Sequence, residues 1–369
     1  MYAHIIYFNY LKADGSEMSI GGIQTYISNL IPVLQECGYK VIIYQRAEKD
    51  FHRSLDNCEV YGVSHPRNHC PQAAKALLEK ALPNINVESD LLVYGCETCI
   101  TKAVKCRTIA IQHGIFWDVP YDQGCSDLKY MRHYLGKCYR AWKICQRVSK
   151  VDKLVCVDHN FVNWHRAITS YPRVEHLVIP NFSSIPPREP KSTDGTRRII
   201  FARRFFPHRG TRLFTNVATR LLAEYPKIDI TIAGTGPDAD YIHKKLDGYA
   251  NVRFITYDSK DSLLIHSDKD IAVVPTIGSE GTSLSLIEAM ASGCAVVCTN
   301  VGGMTNIVLD GYNGLMISPD EDALYTAIKR LIDDDDLCCR LQQHAYETAN
   351  EAFSVDVWRQ RWKRIITNI

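Results

Sequence analysis

The sequence has almost no excess of charge and no apolar run as long as a membrane span. Its 43 Lys and Arg residues against 41 Asp and Glu leave a formal charge of +2, which gives no case for a nucleic-acid partner of the whole chain. No segment approaches the roughly 20 apolar residues that cross a bilayer. The first residues show no basic region followed by an apolar core and a small-residue cleavage site, so we expect a cytoplasmic protein.

Cysteines are plentiful, but their spacing is not that of a metal site or a disulfide framework. Ten of the 14 cysteines precede residue 157, at irregular intervals. Most lie in apolar strand or helix patterns, where a thiol acts as a small hydrophobic group. Cys96 and Cys99 form a C-x-x-C pair that no second such pair or histidine pair accompanies. We therefore expect neither a zinc site nor structural disulfides.

Apolar runs alternate with longer amphipathic segments through most of the 369 residues. This alternation predicts parallel strands joined by crossover helices, and the length predicts two domains. A helix is predicted at 23–37. Strands are predicted at 5–8, 41–44, 91–94 and 108–112 in the first half and at 198–202, 228–233, 252–255, 271–274 and 295–298 in the second.

The best linker in the sequence is 183–195, which contains three prolines, polar residues and a closing glycine. We therefore predict an N-terminal domain of residues 1–182 and a C-terminal domain of residues 183–352. Residues 353–369 carry apolar side chains at near-helical spacing and are predicted to form a terminal helix.

Glu280 and Glu288, eight residues apart, flank a predicted turn from a strand to a helix. Amides at a helix start lack intrahelical partners and, with the helix dipole, suit a diphosphate. Glu288 could accept both hydroxyls of a ribose, whereas Glu280, which would repel phosphate, is better assigned to hydroxyls of a transferred sugar. A surface glutamate and a helix-face glutamate are the ordinary alternative. The amides concerned belong to Gly281, Thr282, Ser283 and Leu284.

This arrangement resembles the Glu-x7-Glu signature of retaining GT-B glycosyltransferases of family four, the glycosyl transferases group 1. The motifs at 293–299, 301–304 and 310–317 follow in the order and spacing of that family, and the resemblance covers most of the chain. It implies a GT-B fold, two Rossmann-like, doubly wound domains facing a central cleft. It also implies that helix 353–369 crosses back to the N-terminal domain. Packing of that helix on its own domain is the alternative.

Residues 202–210, Ala-Arg-Arg-Phe-Phe-Pro-His-Arg-Gly, resemble the Gly-Arg-x-x-Pro-x-Lys-Gly segment of the family. The resemblance aligns Arg204 and Arg209 with the two cations that neutralise the donor diphosphate, most strongly as negative charge gathers on the leaving phosphate. Arg203 stands where the family usually has glycine. Arg209 replaces the compact ammonium group of the family's lysine by a planar guanidinium. A plain basic turn on the surface is the alternative.

Two features of the N-terminal half resemble donor-site elements of the family. Gly21 and Gly22 open a predicted helix, as the Gly-Gly loop of the family does, and would approach the diphosphate or the sugar. His113 follows the strand predicted at 108–112, and the resemblance implies that it orients the transferred sugar. A structural histidine is the alternative.

In the C-terminal half, Gly234 follows a predicted strand and is expected to keep the floor of the donor site open. Tyr257 falls where the family places the nucleobase. Asp238 and Asp240 imitate a metal-binding Asp-x-Asp motif, but we expect helix capping, because Asp after Pro is common at a helix start.

Segment 129–153 holds eight Lys or Arg residues against one acid, Asp152, with three tyrosines and a tryptophan between them. Such a basic amphipathic helix suits a peripheral contact with anionic lipid near a lipid-linked acceptor. A core helix with a solvated charged face is the alternative. A nucleic-acid partner is not expected, because no known binding module accompanies the basic run.

The resemblance implies an enzyme that moves a sugar from a nucleoside-diphosphate sugar to a hydroxyl of a saccharide or glycolipid acceptor, with retention of anomeric configuration. Neither a cofactor nor a metal is expected. We predict a role in polysaccharide or glycolipid biosynthesis and a cytoplasmic location, peripheral at the inner membrane face. A sugar-nucleotide epimerase or hydrolase, a non-catalytic binding module and a metal-dependent transferase stay open. Acceptor specificity is expected in the loops at 45–70 and 117–125.

Overall fold

The computed structural model describes residues 1–19, 21–119, 126–169, 173–188, 191 and 194–369, and of Ser259 the backbone alone. The chain divides into two units, each with one β-sheet. The first unit is bounded by Met1–His113, Gln123–Ile179 and Trp358–Ile369, and the second by Gly114–Asp122 and Pro180–Val357.

The sheet of the first unit has the strand order β3-β4-β2-β1-β5-β6-β7-β8 and is parallel except for β3. Its strands are β1 Tyr2–Ile6, β2 Lys40–Ala47, β3 Phe51–Leu55, β4 Cys58–Ser64, β5 Leu91–Tyr94, β6 Arg107–Gln112, β7 Lys153–Cys156 and β8 Glu175–Val178. Its helices are α1 Gly22–Glu36, α2 Pro71–Ala81, α3 Asp127–Val148 and α4 His159–Ile168. Every residue of β5 is buried, as a parallel strand covered on both faces requires.

Part of the predicted acceptor loop is regular structure. The segment 45–70 contains β3 and β4, which pair as an antiparallel hairpin from Leu55 opposite Cys58 to Phe51 opposite Gly62. The second predicted acceptor loop is described only at 117–119, because residues 120–125 lie outside the described ranges. In the predicted linker, residues 189, 190, 192 and 193 also lie outside them.

The sheet of the second unit is parallel throughout, in the order β11-β10-β9-β12-β13-β14. Its strands are β9 Arg197–Ala202, β10 Ile228–Ala233, β11 Val252–Ile255, β12 Ile271–Val274, β13 Ala295–Thr299 and β14 Leu315–Ile317. Its helices are α5 Thr211–Glu224, α6 Ala239–Leu246, α7 Ser262–Ser267, α8 Leu284–Ala291, α9 Glu321–Asp333 and α10 Asp335–Phe353. Separate apolar clusters form around Phe214 and around Met290. The predicted α/β class, with two largely parallel sheets, is confirmed.

The strand order of the second sheet reverses between β9 and β12. From β9 the chain proceeds to β10 on one side, whereas β12 lies on the other side and continues to β13. The loops at the carboxyl ends of these two strands therefore leave the sheet in opposite directions, and ligands of doubly wound sheets bind in the crevice that results. The predicted motifs at 202–210 and around Glu280 are these two loops.

The last helix, α11 Val355–Thr367, buries two tryptophans in the first unit. Trp362 is fully buried, and its Nε1 donates a hydrogen bond to the hydroxyl of Tyr26 over 2.9 Å. The ring of Trp358 meets the Tyr26 ring edge-on at 5.0 Å. Just before this helix, Ser183 binds both the carbonyl of Phe353 and the amide of Val355, each over 2.9 Å, so these two chain segments run side by side. None of the described helices is long and apolar enough to span a membrane.

Candidate active site

Two adjacent arginines follow β9 and point to opposite sides. The β9–β10 ladder continues beyond the strand, since the amide of Arg203 donates to Ala233 and that of Phe205 donates to Thr235. Successive side chains of an extended chain alternate in direction. Arg203 is accordingly buried, whereas Arg204 is exposed with its guanidinium 5.7 Å above the ring of Phe206.

The buried carboxylate of Glu280 is held by two arginines from the neighbouring loop. Its Oε2 accepts from Nη2 of Arg203 at 2.5 Å, from Nη1 of Arg209, and from the hydroxyl of Thr276 at 3.2 Å. Arg209 reaches it from the short 3-10 turn Pro207–Arg209. Two cations and one anion thus face one another at the switch point, with a surplus of one positive charge.

The electrostatics of this cluster favour the charged form of Glu280. Burial raises the pKa of Glu280, but Arg203 and Arg209 outweigh burial and leave that pKa below its ordinary value. Burial lowers the pKa of Arg203, which Glu280 partly offsets. Partial burial and the nearby charge of Arg209 also lower the pKa of the Arg204 guanidinium and of His208. His208 is therefore the neutral member of the group at neutral pH.

Close backbone contacts fix the two loops in place. Gly302 has φ +56°, and a Cβ atom on it would lie 2.1 Å from the carbonyl oxygen of Glu280. The next amide, of Gly303, donates to that same oxygen over 3.1 Å. On the other loop, a Cβ atom on Gly234, at φ +141°, would lie 2.0 Å from the carbonyl oxygen of Arg203. Both positions require glycine. Each glycine packs against the backbone of one partner of the Arg203–Glu280 ion pair.

Glu288 lies on α8 with its carboxylate bound to the hydroxyl of Ser262 at 2.6 Å. Burial raises its pKa above the ordinary value, against the lowering effects of the Ser262 hydrogen bond and the charge of Arg203. Tyr257, half-buried beyond β11, has its pKa raised to about 12 by burial and by the charge of Glu288. The two side chains are therefore electrostatic neighbours, as the predicted ribose and nucleobase contacts would require.

The start of α8 has no side-chain cap. Ser283 is its N-cap residue and makes no capping hydrogen bond; its hydroxyl lies 3.2 Å from that of Ser285 and 3.4 Å from Nη1 of Arg203. The carbonyl and hydroxyl of Thr282 instead accept hydrogen bonds from Asn181. A helix start without a capping side chain, beside surplus positive charge, is suited to an anion.

The candidates of the first unit occupy the places that the sequence predicts. Gly21 is the N-cap of α1 and Gly22 its first residue. His113 follows β6, where its Nε2 donates to the carbonyl of Gly95 over 2.9 Å and its ring meets Tyr26 edge-on. Burial lowers the pKa of His113 to about 4. The imidazole is therefore neutral at pH 7, and Nδ1 is its acceptor atom.

In the second unit, the structure brings together the predicted residues Glu280 and Arg209 and the start of α8. Gly234, also predicted, packs against the backbone of Arg203. It places Arg204 outside the Glu280 ion pair, where Arg203 lies instead. Strand alternation is the signal that could have separated the two arginines. Thr276 and Ser262, the hydroxyl partners of the two glutamates, were also missed, because no local sequence pattern marks them.

The prediction that the side chain of Asp238 caps a helix is wrong. This residue precedes α6 but makes no capping hydrogen bond, and its Oδ1 accepts instead from Nη2 of Arg212 at 3.1 Å. The ion pair engages this one carboxylate oxygen, and the local sequence does not show the pairing. Within the described ranges, no group of three or more His, Cys, Asp or Glu side chains is arranged to hold a metal ion.

The chain is similar to known glycosyltransferases. Residues 186–348 match the family model described as glycosyl transferases group 1. Phosphatidyl-myo-inositol mannosyltransferase of Mycolicibacterium smegmatis is 24% identical over 161 residues, 43% of this chain and 42% of that protein. The gpi3 subunit of phosphatidylinositol N-acetylglucosaminyltransferase of Schizosaccharomyces pombe is 28% identical over 85% of this chain and 70% of its own.

Solved structures show the same fold at low identity. Sucrose-phosphate synthase from Thermosynechococcus elongatus superposes with a TM-score of 0.77 at 16% identity, over 99% of this chain and 98% of its own. The Anabaena protein HepE in complex with UDP-glucose has a TM-score of 0.72 at 14% identity, over the whole of both chains. The whole chain thus has the GT-B fold of these structures, and its residues 186–348 match the glycosyl transferases group 1.

Proposed function

We propose that the protein transfers a sugar from a nucleoside-diphosphate sugar to a hydroxyl of a saccharide or glycolipid acceptor, with retention of anomeric configuration. The observation that carries this proposal is the cluster of Arg203, Arg209 and Glu280 at the switch point, beside the uncapped start of α8. The comparison protein with UDP-glucose bound supports a nucleotide-sugar donor.

The cluster suits a diphosphate because its positive charges exceed its negative ones. Arg209 and Arg204 are less buried than Arg203 and can turn toward phosphate oxygens, while Arg203 keeps Glu280 compensated. The amides of Gly281–Leu284 supply donors from the other side. Glu288 would accept the ribose hydroxyls, with Ser262 fixing its carboxylate, and Tyr257 would border the nucleobase.

The engagement of Glu280 supports a front-face substitution. A carboxylate bound by two arginines, with a lowered pKa, is a poor covalent nucleophile and is better suited to accept hydrogen bonds from sugar hydroxyls. The bond from the anomeric carbon to the leaving phosphate oxygen breaks, and the acceptor oxygen bonds to that carbon on the same face. The acceptor proton passes to the leaving phosphate, whose growing charge the arginines stabilise.

The proposal extends to the metal, the sugar and the acceptor. Transfer would proceed without a metal, because the arginines and helix amides supply the positive charge. His113 would orient the sugar as a neutral acceptor through Nδ1. The two relatives named for phosphatidylinositol substrates support a glycolipid acceptor, with a peripheral membrane contact through 129–153 and a role in polysaccharide or glycolipid biosynthesis.

The first test is thermal stabilisation by UDP, GDP, dTDP, ADP and CMP without added metal. A nucleotide at about 100 times its dissociation constant adds roughly 2.7 kcal/mol to the free energy of unfolding. We expect one nucleotide to stabilise the chain and the Glu288→Ala variant to lose most of that shift. Glu351→Ala, an exposed glutamate on α10, is the matched control and should keep it.

The outcomes separate the alternatives. Absence of a shift with every nucleotide, in a chain that melts cooperatively, would count against a donor site. With a nucleotide identified, its sugar conjugates are offered with and without an acceptor panel. Turnover that needs no acceptor would indicate an epimerase or hydrolase, binding without any turnover would indicate a binding module, and loss of transfer on chelation would indicate a metal.

A further inference from the structure

The outward face of α3 is apolar. Five large side chains along four turns of this helix are each between 52% and 82% exposed. At the spacing of three and four residues they lie above one another on a single face. We call this face the apolar ridge. It consists of Leu128, Met131, Leu135, Tyr139 and Trp142.

The helix is held to its own unit by a different face. Its buried residues are Ile144, Cys145 and Val148, all in the last two turns. A helix that only packs on its domain turns apolar residues inward and charged residues outward. In α3 the larger apolar residues are on the exposed side. The alternative of a core helix with a solvated charged face therefore does not explain this helix. A continuous exposed patch of this kind marks an interaction surface.

Positive charge flanks the ridge. At 100° per residue, Arg132 and Lys143 come directly beside it around the helix, followed by Lys129 and Arg147. The whole helix has six Lys or Arg residues and a single acid, Asp127, in its first turn. The surface is therefore apolar in the middle and cationic along one edge.

One of these cations, Lys143, covers part of the aromatic surface. The ammonium of Lys143 lies 5.4 Å from the ring centre of Tyr139 and 5.6 Å from that of Trp142. An aromatic ring with a cation beside it has an apolar body and a charged border. Such groups are found where hydrocarbon meets lipid headgroups.

Charge decides between the possible occupants. A second copy of the chain would bring two helices with six cations each together and would suffer repulsion. Nucleic acid would be met first by the apolar ridge rather than by the cations. An anionic lipid surface satisfies both parts, because headgroup phosphates pair with the cations while the ridge enters the acyl boundary.

We propose that α3 docks the protein on an anionic membrane, with the apolar ridge inserted and Arg132 and Lys143 bound to headgroup phosphates. The inference deepens the proposed function, since it places the enzyme where a lipid-linked acceptor would be held. Its test, however, does not depend on turnover.

The test is cosedimentation of the full chain with vesicles of phosphatidylcholine alone or with about a third phosphatidylglycerol. We expect binding to the anionic vesicles that weakens as salt is added. The double variant Leu135→Glu/Trp142→Glu should weaken it by about tenfold or more, and so should Arg132→Glu/Lys143→Glu. Binding to neither vesicle, or equal binding by the parent and both variants, would overturn the proposal.

Matched controls carry equal changes away from the ridge. Leu264→Glu changes an exposed leucine of α7, and Lys244→Glu/Lys245→Glu changes two exposed lysines of α6. Both should bind vesicles like the parent; a loss as large as that of the ridge variants would show a general effect of charge and overturn the proposal. If light scattering shows that ridge variants dissociate a dimer while vesicle binding is unchanged, the ridge joins copies of the chain and the proposal is wrong.

The nucleotide shift is measured on the same variants. Retained nucleotide stabilisation with no vesicle binding would reject the membrane proposal and leave the transferase proposal standing. Vesicle binding that depends on the ridge, in a chain that no nucleotide stabilises, would support the membrane proposal and reject the transferase proposal.

Discussion

At the scale of single residues, the site depends on which of two neighbouring arginines is buried. Arg203 compensates the buried carboxylate of Glu280, whereas Arg204 is exposed and contacts Phe206. The first is thus part of the folded structure before any ligand binds. The second has no ion pair among the described residues, so a bound ligand can supply one. Their substitutions should separate stability from donor binding.

We predict that Arg203→Ala lowers the free energy of unfolding by roughly 1 to 3 kcal/mol, because Glu280 keeps Arg209 but loses its other charged donor. Arg204→Ala should change it by less than about 0.5 kcal/mol, as is usual for an exposed residue, yet weaken nucleotide binding. Denaturant unfolding without ligand and calorimetric titration with nucleotide measure the two effects. Equal losses of stability in the two variants would contradict the burial of Arg203 and the exposure of Arg204.

A second residue-scale prediction concerns Glu97, which is buried in the first unit with its pKa raised by burial to about 7. Because the folded pKa exceeds the unfolded one, the stability that the protonated group allows is present below about pH 4.5 and is lost as pH rises through about 7. Glu97→Gln should therefore match the parent at low pH and exceed it by up to about 3 kcal/mol at pH 8.

Denaturant unfolding across this pH range, taken as the difference between variant and parent, measures that effect. The exposed Glu88→Gln serves as the control for removal of a charge in the same unit. A difference that stays constant from pH 4 to pH 8 would contradict the burial of an ionisable Glu97.

Much of the site at this scale follows from the sequence. The spacing of Glu280 and Glu288, with glycine and serine between them, is local information, and the turn from strand to helix follows from it. The direction in which a side chain points is not local information. Arg203 turns inward because its amide extends the ladder to Ala233, a residue of another strand. Ser262 meets Glu288 from α7, which no pattern near the glutamate indicates.

At the scale of elements, the short turn Gly302–Asn306 holds the Glu280 loop in place. We predict that Gly302→Ala disturbs this loop, because its Cβ would lie 2.1 Å from the carbonyl oxygen of Glu280. Crowding should cost about 1 to 3 kcal/mol, in addition to roughly 1 to 2 kcal/mol for the left-handed backbone. Nucleotide stabilisation should fall as well.

Gly311→Ala is the matched control, since Gly311 also has a positive φ, +75°, but nothing lies within 4 Å of an added Cβ. It should show only the backbone cost and keep the nucleotide shift. Thermal melts with and without nucleotide compare the two variants. Equal melting temperatures would mean that the loop relaxes around the added methyl group.

The elements themselves were predictable where one physical signal dominates. Buried parallel strands such as β5 and β12 consist entirely of apolar residues, and their positions follow directly from that pattern. Strand β3 was missed because its three central residues, His52 to Ser54, are exposed and polar. Its extended form depends on pairing with β4 rather than on burial, and pairing is not visible in a single segment.

At the scale of the whole molecule, the chain leaves the first unit after Ile179 and returns to it at Trp358. The first unit therefore depends on residues that come after the second unit in the sequence. Near-helical spacing of apolar residues predicted the helix, but the partner of each tryptophan is set by tertiary structure. Trp362 meets Tyr26, 336 residues away in sequence.

We predict that Trp362→Ala destabilises the first unit by about 3 to 5 kcal/mol, the usual cost of removing a fully buried large aromatic side chain. Trp142→Ala removes a tryptophan that is about half exposed and should cost far less. Hydrogen exchange locates the effect: peptides covering α1 and β5 should exchange faster in Trp362→Ala, whereas peptides covering β9 and β12 should not. Faster exchange in both groups would show that the two units unfold together and that the last helix stabilises the chain as a whole.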